Sequence, residues 1–344
     1  MRNNGLKIYS ICFFMLFSLT FLLTAEVNGA DEAKKSFTLT LQWLPQAQFA
    51  GYYVAMEKGY YKQAGIDLKL LHKPAQESIE DILYQGKSDF ITSFLSSGIK
   101  LRAQKGLIVN IGQISQRSAL MFVAHKDSKI TRLEDINGKR LGLWPVDFQV
   151  MPLALLKKYN LKTETIPVVN DVDLFLWHGV DVMTVMWYNE YHQILDAGIN
   201  EDELVTFFFS DYNMDIPEDG IYCLENTYKN NPDICKKLVI ATLKGWREAF
   251  KDRQNTLKIV RKYCAQMHLQ FNAAHQSWML DKMEELIFPG RDYEPGVLSP
   301  KVYKETAKKL MMMDFIKKIP RYSDFYKNVL NGDTEPEQEE NVKK

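Results

Sequence analysis

Apolar and polar residues alternate along most of the chain in a way that predicts strands and helices following one another. The stretch 39–70 reads as a strand, a loop that opens at Trp43, a helix and, after a turn at Gly65, a second strand. Apolar residues at helical spacing predict long helices between 232 and 313. Short apolar runs predict further strands, which include Val109–Ile114, Leu120–Ala124, Thr165–Val169, Val182–Met186, Phe207–Phe209 and Asp219–Leu224. This order of elements predicts an α/β fold.

The loop after the first strand is rich in side chains that can hold a flat, polar small molecule. It carries the indole of Trp43, the amides of Gln46 and Gln48, the ring of Phe49 and the phenol of Tyr52. Ligands of open α/β sheets bind outside the carboxyl ends of strands, which is where this loop falls. We therefore predict that these residues form one wall of a ligand site.

A second stretch adds hydroxyl groups beside a glycine. Ser93, Phe94 and Ser96 lie between a predicted buried strand and a predicted helix at Ile99–Lys105. Backbone N–H groups at the start of a helix, together with serine hydroxyls, can hold a polar or anionic ligand. The alternative is that a serine here only caps the helix.

The strand Val182–Met186 runs directly into a second candidate loop. Trp187, Tyr188, Asn189 and Glu190 place ring faces beside an amide and a carboxylate. Glu190 could pair with an amine or an amino-substituted ring. The alternative is a surface glutamate that the helix dipole stabilises at the start of a helix.

A change in composition marks the start of a second sheet. The sequence turns polar after Ala124, and Leu133–Leu143 then reads as a helical turn followed by a new strand. That strand ends at Trp144, a further candidate ligand residue. We place the first crossing between domains at 123/124 and the return crossing within Asp219–Leu224.

Charge and length limit the functional classes. The 344 residues carry 43 basic and 43 acidic side chains, and no basic stripe accompanies the aromatic residues, which argues against nucleic-acid binding. Residues 1–30 combine a positive start, a long apolar run and small residues at Gly29 and Ala30, a pattern typical of a secretory signal peptide. The alternative is an uncleaved membrane anchor. The mature protein is thus expected in the periplasm.

Cysteine spacing and the C-terminal composition add two expectations. Cys223, Cys235 and Cys264 follow the signal peptide; Cys223 and Cys235 could pair, or all could be buried thiols. No spacing of cysteine and histidine predicts a metal site, and we expect no cofactor. The acid-rich segment 331–344 predicts a disordered tail.

Seven short segments together carry a family resemblance. They are Trp43, Gly51–Ala55, Glu57–Tyr61, Gly86–Phe90, Leu133–Gly142, Trp187–Glu190 and Ala241–Trp246. From about 37 to 330, the sequence resembles periplasmic solute-binding proteins of ABC importers. The group that it resembles includes binders of thiamine-pyrimidine precursors, riboflavin, sulfonates and nitrate.

The resemblance implies a two-lobed type 2 periplasmic binding fold. Each lobe would be a mostly parallel sheet flanked by helices, and two crossing strands would join the lobes. The first lobe would comprise 37–123 and 222–330, and the second 124–221. A monomer would capture a small molecule between the lobes and deliver it to an ABC permease in the inner membrane, without catalysis.

The resemblance also implies roles for individual residues. In the pyrimidine-precursor branch an aromatic ring stacks on the ligand and an acidic side chain holds its amino group, roles that fall here to Trp43, Trp187 and Glu190. The sequence departs from that branch at Gln46, where asparagine is usual, and at 144–148, which replaces a Gly/Ser-rich loop. Loss of small residues shields backbone N–H groups from a phosphate or sulfonate. A neutral or weakly cationic heterocycle is the predicted ligand.

Two other functions share the predicted fold. One is a synthase of the thiamine pyrimidine, but the sequence has a single cysteine, Cys223, where that enzyme has a cysteine-rich motif, and no histidine at Ser96–Gly98. The other is a binding protein that presents its ligand to a membrane receptor. No feature of the sequence separates sensing from transport.

Overall fold

The computed structural model describes residues 36–74, 76–144, 148–169 and 171–332. The predicted signal peptide and nearly all of the predicted acidic tail lie outside the described residues. Within them, no helix combines the length and the apolar character that crossing a bilayer requires.

Ten strands form two five-stranded sheets in the described part of the chain. The first sheet has the order β2-β1-β3-β10-β4 and the second has the order β7-β6-β8-β5-β9. In each sheet one strand, β10 or β5, runs antiparallel to its two neighbours. The strands are β1 Ser36–Leu41, β2 Asp67–His72, β3 Phe90–Phe94, β4 Ile108–Gln113, β5 Leu120–His125, β6 Arg140–Leu143, β7 Glu164–Pro167, β8 Val182–Met186, β9 Leu204–Phe208 and β10 Asp219–Leu224. The predicted two-lobed α/β fold with mostly parallel sheets is confirmed.

The described helices flank both sheets. They are α1 Ala50–Glu57, α2 Tyr60–Gln63, α3 Ile79–Tyr84, α4 Leu95–Lys105, α5 Val150–Lys158, α6 Asp173–Leu176, α7 Glu190–Asp196, α8 Glu225–Asn230, α9 Pro232–Lys251, α10 Arg253–Gln266, α11 Ala273–Ile287, α12 Pro300–Met312 and α13 Tyr322–Phe325. Several helix ends follow local signals: Ser78 Oγ accepts a hydrogen bond from Asp81 N at the start of α3, and α4 ends at Gly106 in the left-handed region. The helical region that begins at 232 divides into α9 and α10 at Asp252. The Asp252 side chain accepts a hydrogen bond from Asn255 N and so caps the start of α10.

The two segments that connect the sheets lie side by side. They are 114–119, between β4 and β5, and 209–218, between β9 and β10. Glu218 accepts hydrogen bonds from Ser118 Oγ (2.7 Å) and Ala119 N (3.1 Å), and Asp215 accepts one from Ser118 N (2.8 Å). The predicted domain boundaries at 123/124 and 221/222 fall inside β5 and β10. The strand assignment favours boundaries within 114–119 and 209–218 instead.

Two glycines explain part of the family resemblance. A Cβ on Gly51 would lie 2.2 Å from the Trp246 ring, and a Cβ on Gly245 would lie 2.1 Å from the Gly51 carbonyl oxygen. Only glycine therefore allows α1 and α9 to pack this closely. The contact fixes α1, which follows the loop after β1, against α9.

All three cysteines that follow the predicted signal peptide are buried free thiols. Burial raises the pKa of the Cys223 thiol well above its ordinary value, and the neighbouring Cys235 thiol raises it further. Of the two alternatives for Cys223 and Cys235, the structure shows the unpaired one.

Candidate functional site

A narrow cleft lies between the two sheets. Aromatic side chains and short polar side chains form its walls. The lining residues are Gln42, Trp43, Gln46, Gln48, Phe94, Trp144, Phe148, Met186, Tyr188, Asn189 and Glu190. No lysine, arginine or histidine is among these described lining residues.

The cleft is built from the carboxyl ends of four strands. Gln42 and Phe94 lie where β1 and β3 end, and these strands are neighbours in the first sheet. Trp144 and Met186 lie where β6 and β8 end, and these are neighbours in the second sheet. The two walls therefore come from equivalent positions in two sheets of the same strand order, as expected for ligand sites of open α/β sheets.

A chain of amide groups forms the polar part of the first wall. Gln46 Nε2 donates to Gln48 Oε1 (2.7 Å), and Gln48 Nε2 donates to Asp219 Oδ2 (2.9 Å). Gln42 Nε2 donates to Asp219 Oδ1 (2.6 Å). Asp219, the first residue of β10, thus fixes two amides of the wall from behind. Burial raises the pKa of its carboxyl to about 6, and the two glutamine hydrogen bonds oppose that rise.

The polar part of the second wall is a buried carboxylate. Glu190 Oε2 accepts a hydrogen bond from Met186 N (2.8 Å), and Glu190 Oε1 accepts one from Asn189 Nδ2 (2.7 Å). Burial raises the pKa of Glu190 to about 7, although these hydrogen bonds favour its ionised form. The backbone N–H of Glu190 also bonds its own carboxylate. A carboxylate has about four acceptor positions, so the group can still accept a hydrogen bond from a ligand.

Aromatic rings close the cleft between the walls. The Phe148 ring lies edge-on to Trp43 (5.4 Å between ring centroids) and to Phe94 (5.1 Å), and also near Trp144. Phe148 of the second wall therefore packs between two rings of the first. The hydroxyl of Tyr188 has no hydrogen-bond partner among the described residues, and burial raises its pKa well above the ordinary value.

Helix α11 contacts both walls from outside the cleft. Gln276 Oε1 accepts a hydrogen bond from Ala47 N (2.6 Å), and Met279 Sδ accepts one from Gln48 N (3.1 Å). On the other side, His275 Nε2 bonds Asn189 Oδ1 (3.1 Å). One helix therefore positions the loop that carries Gln48 and the loop that carries Glu190.

The structure brings eight of the predicted site residues to the cleft: Trp43, Gln46, Gln48, Phe94, Trp144, Tyr188, Asn189 and Glu190. Trp187 is not among them. Its ring packs edge-on to Phe208 (5.7 Å) beneath the Lys282 ammonium group (4.0 Å). Strand β8 ends at Met186 and residues 187–189 form a turn, in which Tyr188 and Asn189 face the cleft and the Trp187 ring does not.

Four other predicted residues are buried beside the cleft without lining it. Phe49 and Tyr52 pack in the core because α1 begins at Ala50 and its inner face lies against α9. Ser93 lies within β3, and Ser96 is buried in the first turn of α4, which begins earlier than predicted. No serine side chain caps α4, since Phe94 occupies the cap position.

Sequence analysis missed four residues of the site. Gln42, Phe148 and Met186 line the cleft, and Asp219 supports it. Gln42 and Met186 lie at the ends of predicted strands, so their positions in the sequence could have indicated a place in the cleft. The position of Asp219 could not, because its contact with Gln42 joins residues 177 positions apart in the sequence.

Comparisons with known proteins agree with this geometry. A riboflavin-binding protein of Chloroflexus aurantiacus is 26% identical over 235 residues, 64% of this chain and 64% of that protein. A formylaminopyrimidine-binding protein of Halalkalibacterium halodurans is 26% identical over 117 residues, 33% of this chain and 36% of that protein. The chain thus aligns with less than two thirds of the length of either relative.

A solved structure shows the same fold. The periplasmic aliphatic sulphonate-binding protein of Escherichia coli superposes with a TM-score of 0.65 and 13% identity, covering 88% of this chain and 96% of that one. At sequence level, residues 46–256 match the family described as NMT1/THI5 like, and this match includes both walls of the cleft apart from Gln42 and Trp43. The chain belongs to the NMT1/THI5-like family and has the substrate-binding protein fold.

Proposed function

We propose that the protein binds a small, neutral or weakly cationic heteroaromatic molecule in this cleft and delivers it unchanged to an ABC permease. The observation that carries the proposal is the composition of the cleft. Aromatic rings, amides and one buried carboxylate line it, and the described lining residues include no positive charge.

The aromatic walls favour a flat ligand. Trp43, Phe94, Trp144, Phe148 and Tyr188 offer ring faces and edges, and aromatic pairs add ~0.5–1.5 kcal/mol beyond the burial of their area. The Phe148 ring centroid lies 5.4 Å from that of Trp43 and 5.1 Å from that of Phe94. The space between the walls therefore suits a flat ring.

The polar groups favour a ligand that carries N–H donors. The Glu190 carboxylate lines the cleft, and an amino-substituted pyrimidine could donate a hydrogen bond to it while Gln46 and Asn189 contact the other edge of the ring. The names of the two binding relatives, for riboflavin and for a formylaminopyrimidine, support a nitrogen heterocycle. A thiamine pyrimidine precursor has this chemistry.

The same groups disfavour an anionic ligand. A phosphate or sulfonate would meet the Glu190 carboxylate with no described cation in the lining to compensate. The likeness to a sulfonate-binding protein is one of fold, and fold alone does not carry ligand preference.

A ligand panel tests the proposal. The purified mature protein is heated with 4-amino-5-hydroxymethyl-2-methylpyrimidine, its formylamino analogue, riboflavin or an alkanesulfonate, because a ligand that binds the folded state raises its melting temperature. We expect a shift with an aminopyrimidine, loss of the shift in Trp43→Ala and retention in Trp187→Ala as the matched control. A shift with the sulfonate alone contradicts the proposal.

Two further measurements separate binding from the alternative functions. Mass spectrometry of the recovered ligand should show it unchanged; a converted product would favour the synthase. Deletion of the gene in its host should reduce uptake of the identified compound. Normal uptake together with a lost transcriptional response to that compound would favour a sensor.

A further inference from the structure

We propose that His192, Asp196 and His275 form a binding site for a divalent first-row metal ion of the zinc type. His192 and Asp196 lie one turn apart on α7, and His275 lies in the first turn of α11. One ligand atom from each residue lies within 4.8 Å of the others. This site adjoins the cleft and goes beyond the proposed function, on which it does not depend.

Two of the three separations between ligand atoms match those of tetrahedral coordination. His192 Nδ1 lies 3.2 Å from His275 Nδ1 and 3.5 Å from Asp196 Oδ2. Zinc bonds to nitrogen and oxygen of about 2.0–2.2 Å separate two ligands of a tetrahedron by roughly 3.3–3.5 Å. Two imidazoles and a carboxylate are a ligand set that zinc and its first-row neighbours accept.

The tautomer of His275 is fixed in the form that a metal needs. Asn189 Nδ2 donates to Glu190, so Asn189 presents its Oδ1 to His275. An amide oxygen only accepts hydrogen bonds, so His275 Nε2 carries the proton and its Nδ1 directs a lone pair at His192. Metal-binding histidines usually donate their second N–H in this way.

The carboxylate ligand is oriented as well. Asn272 Nδ2 donates to Asp196 Oδ2 (2.8 Å), which holds the carboxyl group beside His192. An open depression lined by Asn189, Gln193, Asn272 and His275 gives solvent access to this side of α11. A water molecule can therefore complete the coordination.

The position of the site gives a bound ion a mechanical role. Helix α7 follows β8 of the second sheet, whereas α11 holds Ala47 and Gln48 beside the first sheet. An ion held by His192, Asp196 and His275 would cross-link the two halves of the cleft. It would also immobilise the Asn189 amide that contacts Glu190.

Metal titration of the mature protein tests the site. After treatment with EDTA, Zn²⁺ is titrated by calorimetry into the wild type, His192→Gln and His275→Gln. The matched control is His268→Gln, because His268 is exposed and belongs to neither described group of potential metal ligands. We expect one Zn²⁺ per chain in the wild type and in His268→Gln. Loss of a direct ligand should weaken binding by more than the ~10–100-fold that loss of a second-shell partner costs.

The variant Asn272→Ala tests how Asp196 is oriented, and Co²⁺ tests the coordination geometry. Removing the Asn272 amide should weaken Zn²⁺ binding by about tenfold, because only the orientation of Asp196 is lost. Co²⁺ should give the intense visible bands of tetrahedral coordination in the wild type and in His268→Gln. Circular dichroism measures folding of each variant. If His275→Gln does not fold, His192→Gln, which replaces a partly buried histidine on α7, decides. Equal Zn²⁺ binding by the wild type and His192→Gln, or no stoichiometric binding by the wild type, overturns the proposal.

Discussion

The two walls of the cleft come from equivalent strand ends but carry different chemistry. The first wall presents amides that are already bonded to each other and to Asp219 behind them. The second wall presents Glu190 directly, held by its own loop through Met186 N and Asn189. Both walls thus contain a buried carboxyl group, but only the second exposes it to a ligand.

The topology of the sheets determines where the two walls lie, and the sequence of each loop determines the chemistry of its wall. Strand order brings both loops to one cleft, because β1 and β3 occupy the positions in the first sheet that β6 and β8 occupy in the second. The loop sequence then decides whether a carboxylate supports other side chains, as Asp219 does, or contacts the ligand, as we propose for Glu190.

The largest expected effect is on the pH dependence of the free energy of unfolding. Below pH 4.5 the Glu190 carboxyl is protonated in both the folded and the unfolded chain. Above about pH 7 it is ionised in both, so the free energy of unfolding is then lowered by the full cost of burying the charge. The stability that the neutral carboxyl allows is therefore lost as pH rises from 4.5 to about 7. Glu190→Gln should remove this loss and gain about 3 kcal/mol relative to wild type across the window, since a tenfold change in an equilibrium constant is ~1.4 kcal/mol.

Urea unfolding of both proteins at intervals of pH measures this gain. Glu225→Gln is a suitable control, because the pKa of Glu225 is lowered by Lys229 and Arg102 and its stability profile should change in the opposite sense. A constant difference between wild type and Glu190→Gln from pH 4 to 8 would show that Glu190 is not titrating in this window.

The next effect concerns affinity. Glu190→Gln should weaken binding of an aminopyrimidine by about 30- to 100-fold, because hydrogen bonds to a charged group contribute ~1.5–3 kcal/mol and an amide cannot accept at both of its positions. Calorimetry at pH 8, where Glu190 is ionised, gives the ratio. Unchanged affinity would mean that the ligand does not contact this carboxylate.

Asp219→Asn should shift stability more than affinity. An asparagine can accept from only one of Gln42 and Gln48, so a buried amide donor loses its partner at a cost of about 1–3 kcal/mol in the free energy of unfolding. Affinity should fall by less than it does in Glu190→Gln. The opposite ranking of the two variants in paired urea and calorimetry measurements would reverse the roles assigned to the walls.

The smallest effect is expected at Gln46. Gln46→Ala removes one donor to Gln48 Oε1 and leaves Asp219 with both of its hydrogen bonds. Affinity should fall by about fivefold, the equivalent of ~1 kcal/mol for one neutral hydrogen bond. A loss as large as that of Glu190→Gln would show that the first wall also supplies a dominant ligand contact.

Sequence reasoning succeeded where local pattern and chemistry coincide. The strands β8 and β10 begin and end as the apolar runs predicted, and eight candidate residues lie on the cleft. Trp187 lies outside the lining because residues 187–189 form a turn, in which the apolar pattern does not predict the direction of each side chain. Phe49 and Tyr52 failed because aromatic composition does not distinguish a ligand loop from the first turn of a core helix.

The remaining features depend on contacts between distant parts of the chain. Asp219 reaches Gln42 and Gln48 only because β10 returns to the first sheet, and His275 lies 83 residues from His192. The histidine cluster was therefore invisible to a search for close cysteine and histidine spacing. Such groups are found only when helix packing is known.

The side-by-side connecting segments determine how a molecule could enter the cleft. Within the described residues, two stretches of backbone join the two sheets, and Glu218 ties one to the other through Ser118 and Ala119. A rotation about these segments that widens the cleft would also have to break the hydrogen bond between His275 and Asn189, because α11 contacts both walls. The association rate of a ligand would then scale with the fraction of time that this hydrogen bond is broken and the cleft is wide.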